Sequence, residues 1–191
     1  MLLSNLKDIL DPEIVYDIDT SSATEAVVVI KESDPGSKLK PIKLVIPTHD
    51  CVVFTLNVPS RRSFDRKSNY LKSGYKDIHQ GCDYVVACIY KNRLTYVLIE
   101  LKSSCIRGAK AQLWNSTPFI DYLDSLICLH FPTSFRSIQK DKKYLLFSTA
   151  RIHNQKTTTS FKIPCEPDPR GFSVYIGGAA NEFRLGAIIR S

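Results

Sequence analysis

Three residues are spaced to do chemistry together: Asp83, Glu100 and Lys102, within the stretch GCDYVVACIYKNRLTYVLIELKSS from Gly81 to Ser104. Asp83 precedes a run from Tyr84 to Tyr90 that is rich in β-branched and aromatic residues. Glu100 and Lys102 close a second such run, Leu94 to Leu101. Lys91, Asn92 and Arg93 lie between the runs and are expected to form a tight hairpin turn, with Asn92 at positive φ. Asp83 stands eight residues before Lys91, and Glu100 seven after Arg93. Pairing outward from the turn therefore brings the two carboxylates together at the open end of the hairpin. Side chains alternate along a strand, so Glu100 and Lys102 share one face and Leu101 takes the other.

Two carboxylates held close repel each other unless a cation lies between them. A hard divalent ion, Mg²⁺ or Mn²⁺, suits oxygen ligands and commonly keeps several waters. The Lys102 ammonium beside such an ion would assist an attacking water and stabilise an anionic transition state. That is a minimal apparatus for phosphodiester hydrolysis. The plain alternative is a surface ion pair of Glu100 and Lys102 at a strand end, with Asp83 a turn residue. Against it, Val97, Leu98 and Ile99 form a continuous apolar run, the mark of a strand buried on both faces and central in its sheet.

Asp83, sixteen intervening residues, then Glu100-Leu101-Lys102 resembles the active-site signature of the PD-(D/E)XK nuclease superfamily. Cys82 stands where that signature often has proline. The match spans residues 81 to 123. The resemblance implies an α/β (α+β) fold of the restriction-endonuclease-like kind, a mixed central β-sheet flanked by helices. It implies Asp83 and Glu100 as metal ligands, the Leu101 carbonyl as a further ligand, and Lys102 as the catalytic lysine. Gln112, ten residues after Lys102, is similar in position to a glutamine that points into the site in several branches of the superfamily. Its amide would position the attacking water or a phosphate oxygen. Glu13, Glu25, His49 and His79 are further candidates to complete the metal site, each more ordinarily a solvated side chain.

The chain has 191 residues, which fits a single domain over 1–191 with a sizeable core. Hydrophobic content of 43% and charged content of 24% are those of an ordinary globular protein. The net charge of +7 favours a polyanionic partner, and nucleic acid is the commonest. The most basic segment, Arg61 to Lys76, carries Arg61, Arg62, Arg66, Lys67, Lys72 and Lys76, interleaved with Phe64, Tyr70 and Tyr75. Basic residues attract phosphates and aromatics stack on bases, so this segment is the expected nucleic-acid contact. DNA is the expected substrate ahead of RNA, because it is the commoner substrate of the superfamily. At this size a protein partner or a homo-oligomer is expected to supply selection or activation, as in restriction or phage-defence systems. The alternative function is an inactive nuclease-fold subunit that binds nucleic acid or scaffolds a partner. The presence of both acids and the lysine argues against it.

Six cysteines occur with no CxxC pair and no zinc spacing, which reads as reduced core thiols in a cytoplasmic protein. Asp8 and Asp11 come too early for a secretory leader, and no apolar run approaches the roughly 20 residues of a membrane helix. Ser4 to Leu10 reads as a short amphipathic helix. Strands are expected at Glu25 to Lys31, Lys43 to Ile46, Cys51 to Asn57 and Lys143 to Ser148. A final strand pair is expected at Phe172 to Ile176 and Phe183 to Ile189. The three strands ahead of the hairpin are expected to extend its sheet. After the hairpin, one helix is expected over Ala109 to Asn115. A second should start afresh at Thr117-Pro118 and present Phe119, Ile120, Leu123, Leu126 and Ile127 to the core, with Trp114 and Tyr122 in the same packing.

Overall fold

The computed structural model describes residues 2–57, 80–103, 108–131, 138–148, 174–177 and 182–190. Helix α1 (Leu2–Ile9) opens the chain, and a single 3₁₀ turn follows at Pro12–Ile14, with Asp11 accepting the Glu13 N–H. Strands β1 (Val15–Tyr16), β2 (Ala26–Ile30), β3 (Ile42–Ile46) and β4 (Cys51–Phe54) precede the hairpin of β5 (Tyr84–Tyr90) and β6 (Arg93–Lys102). Helix α2 (Ala109–His130), β7 (Gln139–Ser148), β8 (Val174–Gly177), β9 (Glu182–Arg184) and a short α3 (Gly186–Ile189) complete it.

These strands form two mixed sheets. The larger runs β1-β4-β5-β6-β7-β8, antiparallel as far as β6 and parallel from β6 to β8. The smaller runs β2-β3-β9. The architecture is therefore mixed α/β with few helices. It differs from the expectation that all three upstream strands extend one sheet: β4 does so, while β2 and β3 pair with β9 in the second layer. The burial of β2 supplies the reason. Ala26, Val28 and Ile30 are buried, and they pack in one apolar cluster with Val97, Ile99 and Leu101 of β6. An alternating strand of this kind gains more by laying its apolar face on the large sheet than by adding to its edge.

The large sheet is thus covered on both sides. Val97, Ile99 and Leu101 face the small sheet and α3. Leu94, Tyr96 and Leu98 face α1 and α2, against Leu3, Leu6, Leu113, Ile120, Leu123 and Ile127. Strand β6 lies between β5 and β7 and is buried from Leu94 to Leu101, the central strand that its apolar run predicts.

Helix α2 runs unbroken through Pro118 instead of restarting there. Leu113, Ser116, Ile120, Leu123 and Ile127 make one continuous buried face across the proline, and that packing outweighs the missing hydrogen bond. Trp114 and Tyr122 are rotated off this face and are 37% and 57% exposed, not core. At the C-terminal end, the strand expected to reach Ile189 stops at Arg184. Leu185, Ile188 and Ile189 are spaced for a helical turn as well as for a strand, and as a turn all three are buried. Among the described residues no helix is long and apolar enough to cross a membrane.

Candidate active site

The hairpin turn sets the register of the site. Lys91 and Asn92 both have positive φ, 49° and 60°, and Tyr90 pairs with Arg93. This is a two-residue loop with the twist that suits a hairpin. Arg93, expected in the turn, is the first residue of β6. From there the ladder runs without a bulge to Tyr84 opposite Ile99. One step further the same register sets Asp83 opposite Glu100, at the open end; the expected three-residue turn would have set Asp83 opposite Leu101.

Alternation then assigns faces. Leu98 and Tyr96 belong to the helix side of the sheet, so Glu100 and Lys102 belong there too. Leu101 lies on the other side in the core. Asp83 shares the helix side with Val85 and Ala87 of its own strand.

The two carboxylates are bound very differently. Asp83 Oδ2 accepts the Leu101 N–H at 2.8 Å, and Oδ1 accepts the Asn57 amide at 3.0 Å. The Glu100 side chain is 0% exposed, and Lys102 Nζ lies 2.6 Å from its Oε1. The Lys102 ammonium is the close partner of this carboxylate, and the Asp83 backbone N–H also favours its charged form. Lys102 is 23% exposed, so its ammonium joins the buried acid to solvent.

The electrostatics follow from this burial. Removal from water pushes Glu100 up to about 8, the charge of Asp83 adds to the rise, and Lys102 opposes it. Asp83 is also raised by burial, against the lowering effect of Asn57, the Leu101 N–H and Lys102. A buried carboxyl facing a second acid is costly in the interior of a protein. It fits an oxygen-binding cation, which would neutralise both acids at once. Mg²⁺ is often held by one or two carboxylates with waters in the remaining positions, and Asp83 and Glu100 supply that number. A residue's N–H and C=O face the same neighbour in an antiparallel ladder. The Leu101 carbonyl therefore opens on the Asp83 side, in keeping with its expected place among the ligands. Among the described residues no cluster of three or more His, Cys, Asp or Glu forms.

Helix α2 is tied to this end of the sheet by one hydroxyl. Ser116 Oγ accepts the Cys82 N–H at 2.7 Å and donates to the Gln112 carbonyl at 2.8 Å. The residue before Asp83 is thereby fixed to the second turn of the helix. Gln112 sits in the first turn, partly buried, with its N–H bonded to Gly108 O. It is joined to the site through its backbone carbonyl. Among the described residues no hydrogen bond links its side-chain amide to Asp83, Glu100 or Lys102. Gly108 starts the helix at φ 82°, a left-handed conformation that glycine adopts without strain.

Two of the remaining candidates, His49 and Glu25, lie elsewhere. His49 Nε2 is 3.1 Å from the Glu25 carbonyl, and the Glu25 carboxylate pairs with Arg184 at 2.8 Å. The Ile89 N–H binds Asp50 O, which puts His49 at the turn end of β5, about 20 Å along the strand from Asp83. Glu13 is exposed in the 3₁₀ turn. Arg61, Arg62, Arg66, Lys67, Lys72, Lys76 and His79 lie outside the described residues. Cys51, Cys82 and Cys88 are free and buried, and burial pushes each thiol up to about 12, as inert core cysteines should be.

Sequence reasoning missed Asn57 and Ser116. Each is an isolated polar residue 26 or 34 positions from its partner, with no local pattern to mark it. A pocket of about 350 Å³ lined by Glu25, Val45, Pro47, Arg184, Gly186, Ala187 and Arg190 lies at the small sheet, away from the acidic pair. Its Arg184 is already neutralised by Glu25 and Glu182, which leaves the acidic pair as the stronger site. Comparison with protein-family models, curated proteins and solved structures returns no match for this chain.

Proposed function

We propose that this protein is a metal-dependent nuclease with a restriction-endonuclease-like sheet, cutting DNA in preference to RNA. One observation carries the reading: the Glu100 carboxylate is fully buried, stands opposite Asp83, and has the Lys102 ammonium 2.6 Å away. A buried acid beside a second acid and an ammonium is an arrangement that suits a cation and a phosphate.

Asp83 and Glu100, with the Leu101 carbonyl, would hold Mg²⁺ or Mn²⁺, which supplies charge neutralisation and activates water when bound. Lys102 is then released from sole duty as counter-ion to Glu100. Its partly exposed ammonium can hydrogen-bond a phosphoryl oxygen and stabilise the charge that develops there. Water adds to phosphorus and the bridging P–O bond breaks. One product keeps a phosphate monoester, and the other leaves as an alcohol after taking up a proton. Gln112 enters this scheme as a support of the Ser116 link, and its amide remains a candidate to position the water. The basic segment from Arg61 to Lys76 would track the nucleic-acid backbone. A protein partner or a second copy would supply target selection, consistent with a role in restriction or phage defence.

The test is cleavage of plasmid, single-stranded DNA and RNA by purified protein with Mg²⁺ or Mn²⁺. Cutting should be lost on chelation and fall about 10²–10³-fold in Lys102→Ala and Glu100→Ala. Cutting that survives in both variants would remove the acidic pair from the reaction.

A further inference from the structure

We infer that Asn57 is a positioning residue that presets the Asp83 carboxylate for a cation, so that metal affinity at the acidic pair depends on a residue outside it. This rests on the reading of Asp83 and Glu100 as a metal pair. The argument begins with lone pairs. An ionised carboxylate offers roughly four acceptor directions, two at each oxygen. At Asp83 the Asn57 amide takes one at Oδ1, and the Leu101 N–H takes one at Oδ2. Both donors are fixed N–H groups that cannot surrender a proton. They hold the carboxylate plane while leaving each oxygen one direction open. Glu100 is held in a different way, by burial and by the Lys102 ammonium 2.6 Å from its Oε1. The two ligands are therefore unequal: neutral N–H donors orient Asp83, and a charge holds Glu100.

Asn57 is itself held firmly. Thr55, a buried residue, accepts the Asn57 N–H at its Oγ1 at 3.0 Å and donates the same hydroxyl to the Asn57 carbonyl at 3.1 Å. The Thr55 N–H in turn binds Ile14 O at 2.9 Å. A chain of hydrogen bonds thus runs from the 3₁₀ turn through Thr55 and Asn57 to Asp83. Its only evident product is the orientation of one carboxylate. Partners of this kind behind metal-binding carboxylates typically carry 10- to 100-fold in affinity.

The experiment is Mn²⁺ titration by calorimetry of wild type, Asn57→Leu, Thr55→Val and Asp83→Ala, with the circular dichroism spectrum and melting midpoint of each. Asn57→Leu keeps the volume and removes the donor. It should weaken Mn²⁺ at least about tenfold, while Asn57→Leu placed on Asp83→Ala should change residual binding less than twofold. Thr55→Val, which frees Asn57 without touching Asp83, should weaken Mn²⁺ in the same direction by a smaller factor. Should Asn57→Leu misfold, the Thr55→Val titration decides alone. Wild-type affinity retained in the folded variants overturns the role of Asn57 and leaves the metal pair standing. Failure of the wild type to bind Mn²⁺ overturns the metal pair, and the role of Asn57 with it.

Discussion

Glu100 is where the fold gives up stability. Its carboxyl is raised from an ordinary value near 4.5 to about 8, so the folded protein holds a proton that the unfolded chain has lost across that window. More protons bound in the folded state means that stability falls as pH rises. The contribution is full below about 4.5, declines upward, and is gone past about 8. The limiting slope is about 1.4 kcal/mol per pH unit. Asp83 shifts in the same direction and adds to it. Thermal melts of the metal-free protein from pH 5 to pH 9 should show the midpoint falling, and Glu100→Gln should flatten that fall. A midpoint that rises over this range would contradict a raised Glu100 carboxyl. Divalent cation should restore the lost stability in the wild type and not in Glu100→Gln, since a ligand that binds only the folded form stabilises it.

At the scale of elements, two small devices hold the site together. The Ser116 hydroxyl bridges Cys82 and Gln112 within a buried setting. Ser116→Ala orphans the Cys82 N–H and should cost about 1–3 kcal/mol in denaturant unfolding. Because Asp83 follows Cys82, the same change should also weaken Mn²⁺ binding. The second device is the hairpin turn. Lys91 at φ 49° sits in a region that costs an ordinary side chain about 1 kcal/mol or more, while its neighbour Asn92 tolerates it. Lys91→Gly should therefore raise stability by about 0.5–1 kcal/mol, read from the denaturation midpoint. Loss of stability on that change would mean that the Lys91 contact with the Tyr90 ring outweighs the backbone strain.

At the scale of the whole molecule, the proposed function makes charge the first determinant of nucleic-acid binding. A net charge of +7 attracts a polyanion without regard to its sequence. Each phosphate contact contributes about 0.9 to the slope of log affinity against log salt on duplex DNA. Arg61→Ala with Arg62→Ala should therefore lower that slope by up to about 2, and weaken all sequences alike. An unchanged slope would remove this segment from the interface. The three-layer arrangement serves the same end. With helices on one face of the large sheet and the small sheet on the other, Glu100 is buried, Asp83 is half-buried and the Lys102 ammonium keeps its access to solvent.

The sequence by itself determined the hairpin and brought Asp83 and Glu100 to its open end; the register that sets them opposite each other came from the two-residue turn, one residue shorter than expected. Those contacts are local: a short turn fixes which residues pair, and alternation fixes which way they face. It also determined that β6 is central, because an unbroken apolar run has nowhere else to go. Tertiary structure alone decided the rest. That β2 and β3 pair with β9 and not with β4, that α2 passes through Pro118, and that Ile188 and Ile189 close a helical turn are choices among local patterns of nearly equal merit. Burial against distant partners broke each tie. Asn57 and Ser116 reach their sites from 26 and 34 residues away through single hydrogen bonds. One polar side chain leaves no periodic trace in a sequence, so its part in the site exists only once the chain has folded.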